Sequence, residues 1–383
     1  MDTSKTYCNE AWRTVHFDEA GMLAPCCTFR GDRNTAFNNF THYWNSEWLA
    51  DVRNKMILGE NIPGCKQCYI KEARGERSQR IEKNELHGVI FEPEIQEIHM
   101  SFGNTCNKSC NICRPQRSQL IAKEYKQFDP NNDFMQDKMQ NRGVQLAVDG
   151  KIGKLYWEKI DNYVEALSSA EKIVFDGGEP TITKQFDMCL DYMIDNGLTN
   201  KKLSVSTNGS VTREQLEKLS KFKFVAFHLS IDGVDDLYEL VRSPHDWDWW
   251  CKQHALIREY DIEVTFACVA HVFNVHNLRD CLDYFMSEHG NFYFSTLNGH
   301  KHLGVDLVPD GIIDCAISDL RRADYHYTER QASNLMNLIE HLHYMKKVNN
   351  PENRHLFRTF LPEQQRIKGL DFQKYIPWDL NNV

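Results

Sequence analysis

Three cysteines constrain this chain more than any other residues. They are the thiols of Ser101-Phe-Gly-Asn-Thr-Cys106-Asn-Lys-Ser-Cys110-Asn-Ile-Cys113, spaced Cys-x3-Cys-x2-Cys. The run just before them, Ile95-Gln-Glu-Ile-His-Met100, puts Ile98 and Met100 on one face and reads as a strand. Positions i, i+4 and i+7 also share a helix face, so a buried helical stripe is the plain alternative. Local composition argues against it, because Gly103, Asn104, Asn107, Lys108, Ser109 and Asn111 make a polar, turn-prone segment suited to wrapping a metal with backbone amides. Zinc needs a fourth ligand close by. Thiolates hold iron-sulfur clusters, and a cubane with only three protein ligands leaves one iron open to a small molecule.

Downstream, apolar β-rich runs alternate with helical patterns, the mark of βα repeats and a parallel sheet. The strands are expected at 95–101, 172–176, 202–206, 223–230, 262–271 and 291–296, with helices at Thr183 to Asn196, Thr212 to Ser220 and His276 to Glu288. Three short motifs fall where strands end: Phe175-Asp-Gly177-Gly178-Glu179-Pro180, Ser206-Thr-Asn208 and Ser230-Ile-Asp232-Gly233. Carboxyl ends of strands are where βα loops assemble sites in barrels. Gly177 and Gly178 let backbone approach a ligand with no Cβ in the way, and Pro180 stiffens the exit. Ser206, Asn208 and Ser230 offer short neutral donors and acceptors. Tyr125 to Leu155 is polar and reads as an insertion or mobile loop. Cys189, Cys251, Cys281 and Cys315 fall in helical patterns as core thiols, and Cys268 lies on a strand. His300 and His302 read as surface histidines near a strand end.

A second group of thiols precedes the first. Cys8, the pair Cys26-Cys27, and Cys65-Lys-Gln-Cys68 make a second metal site, closed if four of the five bind. Iron-sulfur and a four-thiolate structural zinc both satisfy that ligand type. Between them Trp44, Trp48, Val52 and Met56 share one helical face and read as core. Lys71 to Lys83 is heavily charged and reads as a solvated helix or linker.

The triplet with Gly-Gly-Glu-Pro, Ser-Thr-Asn and Ser-Ile-Asp-Gly behind it resembles the radical S-adenosylmethionine (SAM) superfamily. That resemblance implies an α/β fold with a partial (βα)6 barrel, a 4Fe-4S cluster held by Cys106, Cys110 and Cys113, and SAM on the open iron. Reductive cleavage of the sulfonium would then give a 5'-deoxyadenosyl radical that abstracts hydrogen from a substrate. The same likeness assigns Gly177, Gly178, Glu179, Ser206, Asn208, Ser230 and Arg242 to SAM, with Glu179 on its ammonium and Arg242 on its carboxylate. An exposed helix arginine is the plain alternative for Arg242. The N-terminal cysteines resemble a twitch module, the half-size relative of the SPASM domain. Its second 4Fe-4S cluster would use Cys8, Cys26, Cys65 and Cys68, leaving Cys27 spare. In the better-known relatives the module follows the barrel, whereas here it precedes it.

These expectations divide the chain into an N-terminal cysteine module (1–92), a core barrel (93–300) and a C-terminal helical extension packed on the core (301–383). The formal charge of −9 over 383 residues argues against a nucleic-acid surface driven by bulk charge. No apolar run of membrane-spanning length and no signal-peptide core stand in the sequence. Thirteen cysteines, many in metal-ligand spacing, point to a cytoplasmic protein with metal thiolates instead of disulfides. The function expected is an oxidoreductase that oxidises a small molecule. An external donor such as flavodoxin or ferredoxin would reduce it, and the auxiliary cluster would serve as electron relay. Two alternatives are a peptide- or protein-modifying maturase and a non-enzymatic metal-binding scaffold, the second leaving the strand-end motifs without a purpose.

Overall fold

The computed structural model describes residues 5–30, 40–73, 77–152, 163–297 and 300–380. The chain forms two compact units, one from Met1–Gly103, Ile152–Val205 and Glu214–Val225, the other from Asn104–Lys151, Ser206–Arg213 and Ala226–Val383. This differs from the expected division at residues 92 and 300. The physical reason is a strand within the cysteine-rich segment, β1 (Thr14–Phe17), which pairs in parallel with β3 (Glu97–Ser101) and so ties the N-terminal residues to the sheet.

In the first unit the two-residue β2 (Leu23–Ala24) runs antiparallel to β1, while β3, β4 (Lys172–Asp176) and β5 (Lys202–Thr207, its last two residues counted in the second unit) are parallel neighbours. Period-two alternation sends Val15, Phe17, Ile98, Met100, Ile173, Phe175, Leu203 and Val205 to the core, all fully buried. The helix Lys184–Asp195 starts at Thr183, whose hydroxyl accepts from Phe186 N at 3.3 Å, and it buries Phe186, Cys189, Leu190 and Met193. Burying each of the larger apolar side chains contributes about 1.5–3 kcal/mol. The expected single helical face from Trp44 to Met56 is broken by Ser46, which caps a new helix, Glu47–Leu58, by accepting from Leu49 N. The buried face there is Leu49, Val52, Arg53 and Met56; Trp44 and Trp48 are only half-buried, with Trp44 stacking on the Arg53 guanidinium at 4.5 Å. The charged stretch is likewise partly interior: Arg80 is buried and paired to Glu72.

The second unit holds three parallel strands: β6 (Phe224–Ser230), which enters it at Ala226, β7 (Glu263–Ala270) and β8 (Asn291–Thr296). Parallel strands with intervening helices give the expected α/β class. Tyr125 to Leu155 is not a loop over its described residues. After the helix Gln119–Tyr125 come two more, Asp133–Met139 and Arg142–Val148, each begun by an asparagine, Asn132 and Asn141, whose side chain accepts from the first turn. Cys189 and Cys281 are buried as expected, and Cys268 on β7 is buried too, whereas Cys251 and Cys315 are exposed because their helices turn other faces inward. His302 is 1% exposed, wedged between Phe134 and Phe360 at centroid distances of 4.6 and 4.7 Å, so it belongs to the core. The C-terminal helices Asp310–Arg321, Glu329–Met345 and Pro351–Lys368 pack through Ile313, Ile317, Leu338, Leu342, Phe357 and Phe360. The tail follows with Phe372, Ile376 and Trp378 all buried. Among the described residues no helix is long and apolar enough to cross a membrane.

Candidate functional site

The loop carrying Cys106, Cys110 and Cys113 lies in the second unit and is held by backbone and short polar side chains. Ser109 N donates to Ser243 O at 2.9 Å and Asn111 N to Val241 O at 3.2 Å. Asn111 Nδ2 donates to Leu240 O at 2.8 Å, and Ser118 Oγ to Lys108 O at 2.7 Å. The C-terminal end of the helix Asp236–Arg242, with Ser243 just after it, therefore acts as a rail along which the loop is laid. Cys106 and Cys110 are buried, and Cys113 is half-buried.

Donors surround the sulfurs. Lys108 N lies 3.4 Å from Cys106 Sγ, Asn208 Nδ2 4.0 Å from the same sulfur, and Arg242 Nη1 3.8 Å from Cys110 Sγ. Asn208 also donates to Asn107 Oδ1 at 2.9 Å and accepts from Ser210 N and Oγ, so it fastens the loop. Arg242 is 7% exposed, which removes the reading of an ordinary surface arginine. Its Nε and Nη2 reach Asp232 Oδ2 at 2.9 and 2.8 Å, and the other carboxylate oxygen accepts from Val269 N at 2.9 Å. Burial opposes the arginine's charge, but Asp232 and then Cys110 raise its pKa above the ordinary value. Asp232 is thus the counter-ion of a buried cation. Lys108 is fully buried as well, with its ammonium 4.0 Å over the Trp249 ring and donating to Tyr238 Oη at 3.0 Å. Ser206 and Ser230 stand half-buried at or near the ends of β5 and β6.

Gly-Gly-Glu-Pro is in the first unit, directly after β4. Gly177 has φ +116°, and a Cβ there would stand 3.1 Å from Phe102 N and from Ser101 Cα. Only glycine fits without moving the backbone. Glu179 is 1% exposed and its Oε1 accepts from Thr181 Oγ1 at 2.7 Å, closing the turn through Pro180.

Four of the N-terminal thiols in that unit, Cys8, Cys26, Cys65 and Cys68, line one small cavity together with Glu10 and Arg80. Cys27 is absent from its lining and donates to Gln79 Oε1 at 3.6 Å. A Cβ on Gly64 would strike the Phe29 ring at 2.2 Å, so the turn leading into Cys65 requires glycine. Burial and then the thiol of Cys68 push Cys65 up to about 12, and burial and then Cys110 push Cys113 up to about 11. Clustered, buried thiols resist ionising unless a metal takes them. Among the described residues no three His, Cys, Asp or Glu side chains converge tightly enough to hold a metal ion as they stand. What fits iron-sulfur at the 106–113 loop is the thiol set and the amide, guanidinium and backbone donors around it, which suit an anionic, sulfur-rich group.

Residues 100–285 match the profile of the Radical SAM superfamily. The match covers just under half of the chain. Inside the matched residues fall the thiol triplet and all the strand-end motifs. Cys8, Cys26, Cys65 and Cys68 lie outside them. Among solved structures the chain is similar to anSMEcpe with bound AdoMet and Cp18Cys peptide (TM-score 0.37, 18% identity, 54% of this chain and 51% of that one). It is also similar to Streptococcus suis SuiB (0.38, 13%, 79% and 57%) and to SuiB bound to precursor peptide SuiA (0.37, 13%, 84% and 72%). The match spans about half the length of anSMEcpe. No curated protein matches this chain.

Proposed function

We propose that this chain is a radical SAM enzyme that binds a 4Fe-4S cluster through Cys106, Cys110 and Cys113 on a partial (βα)6 barrel and couples SAM cleavage to net oxidation of a small molecule. The observation that carries the reading is the three-thiol loop following a parallel strand, with donors aimed at Cys106 and Cys110. A cluster held by Cys106, Cys110 and Cys113 would supply one-electron reducing chemistry toward the SAM sulfonium. The chain's own residues do the rest. Lys108 N and Asn208 orient the Cys106 corner, and Arg242 orients the Cys110 corner. With two of its nitrogens on Asp232, Arg242 keeps Nη1 for sulfur or for the SAM carboxylate. In this reading Gly177 and Gly178 would leave room for the SAM amino group, Glu179 would be its anionic acceptor, and Ser206 and Ser230 would offer hydroxyls to the nucleoside.

Cys8, Cys26, Cys65 and Cys68 form, in this reading, a twitch-like auxiliary centre that passes an electron onward. Fully ligated by protein, it would not hold substrate through iron. A flavodoxin- or ferredoxin-type donor in the cytoplasm would supply the reducing electron. Anaerobic reconstitution should yield about eight irons per chain. With SAM and dithionite the protein should release 5'-deoxyadenosine, and Ala at Cys106, Cys110 or Cys113 should abolish that release. Four irons with one zinc would end the relay, and persistent 5'-deoxyadenosine without the triplet would end the whole reading. Deuterium transfer into 5'-deoxyadenosine from labelled small molecules or peptides then decides the substrate class.

A further inference from the structure

We infer that Lys368, at the end of the C-terminal helix, is a positioning residue that raises the reduction potential of the iron-sulfur group on the 106–113 loop. The inference rests on the function proposed above. Lys368 is the last residue of the 18-residue helix Pro351–Lys368, which Gly369 stops in a left-handed conformation at φ 65°. Lysines there normally snorkel to solvent. This one is only 3% exposed along its side chain. Its ammonium donates to Ser109 O, to Ser109 Oγ at 2.9 Å and to Ser243 Oγ at 2.7 Å. Ser109 is the residue before Cys110, and Ser243 is the rail residue whose carbonyl accepts from Ser109 N.

A buried ammonium carries a large desolvation cost, met here by three oxygens and by Glu124, whose Oε1 lies 3.4 Å away. Glu124 is itself fixed, accepting from Gln364 Nε2 at 2.9 Å one helical turn before Lys368. The extension thus presents an oriented pair to the loop: the cation bonded to the loop itself, the anion behind it. Three thiolates and a cluster gain negative charge on reduction. A fixed cation on their loop favours the reduced form, and the carboxylate behind it opposes that effect. Packing alone explains neither the charge nor its sign.

The two side chains therefore have opposite signatures. In the full chain, reconstituted anaerobically and titrated with dithionite, the midpoint is read from the electron paramagnetic resonance signal that SAM perturbs. Lys368→Met should lower the reduced-to-oxidised ratio about tenfold at the wild-type midpoint, a 59 mV negative shift for a one-electron couple. Glu124→Gln should shift it positive, and Lys368→Arg should restore the wild-type value. Should Lys368→Met fail to load a cluster, the Glu124→Gln shift decides alone. A midpoint unchanged in Lys368→Met, or unchanged or more negative in Glu124→Gln, overturns the inference while leaving the SAM reading intact. A wild-type chain with no SAM-responsive cluster overturns the SAM reading itself.

Discussion

Removing Arg242 isolates the electrostatic cost of building a cation beside the thiol loop. The Arg242 side chain is 9% exposed and that of Asp232 0%, and the guanidinium meets Asp232 Oδ2 at 2.8 and 2.9 Å. Arg242→Met keeps the apolar stem and deletes the charge. Asp232 then retains one backbone donor, Val269 N, for a carboxylate with no access to water. Breaking a buried pair from one side costs about 3–5 kcal/mol. Replacing both, Asp232→Leu with Arg242→Met, removes the orphan and should cost under about 2 kcal/mol, because a buried pair exchanged for apolar groups is often near neutral. With about 3–5 kcal/mol for either single change and under about 2 for both together, the non-additivity is at least about 4 kcal/mol, and that is the worked quantity. Urea unfolding followed by tryptophan fluorescence reads it, Trp247, Trp249 and Trp250 lying in the same unit. A single-variant loss below about 1 kcal/mol, or strict additivity in the cycle, would refute the reasoning.

Gly177→Ala should cost on the order of 1–3 kcal/mol from its positive φ, and more from a Cβ 3.1 Å from Phe102 N; urea midpoints within error of wild type would contradict this. His271 is fully buried and held down to about 3 by burial, with Arg242, His276 and His300 adding to the effect, and its Nδ1 accepts from Phe273 N at 3.2 Å. A folded pKa below the unfolded value of about 6.5 gives stability that is present above pH 6.5 and lost as pH falls toward 3. Between pH 7 and pH 5 the wild type should therefore lose about 2 kcal/mol more than His271→Asn; parallel losses in the two proteins would place the titration elsewhere. Asn141→Ala deletes an acceptor for Gly143 N at 2.9 Å and Val144 N at 3.2 Å, and should cost about 1 kcal/mol in urea unfolding, while Asn141→Ser recovers most of it. Cys8→Ala or Cys68→Ala should spare uncoupled 5'-deoxyadenosine release yet stop substrate turnover; equal loss of both would count against a separate relay.

The six strands β3 to β8 were legible because alternation and β-branched runs are local signals, and the three strand-end motifs located the loops for the same reason. Where the structure departs from that reading, the deciding partner is distant or the letters are ambiguous. Asn132 and Asn141 look like loop residues because an asparagine that turns a chain and one that caps a helix use the same acceptor; only the helices behind them, packed through Phe134 and Val144, tell which. β1 and β2, four and two residues long, are too short to show a period and exist because β3 offers a free edge. Cys251 and Cys315 sit at helical spacings that fit either face, and burial chose against them. The charges near the thiols are the deepest case. Arg242, Lys108 and Lys368 each look like surface cations in sequence, and each is buried through a group that sequence spacing does not mark: Asp232, the Trp249 ring, and Ser109 with Glu124. Cations enter an interior only where something anionic or polarisable pays their desolvation. Three of them gathered at the loop of Cys106, Cys110 and Cys113 therefore bear more directly on the charge proposed for that loop than the cysteine spacing can.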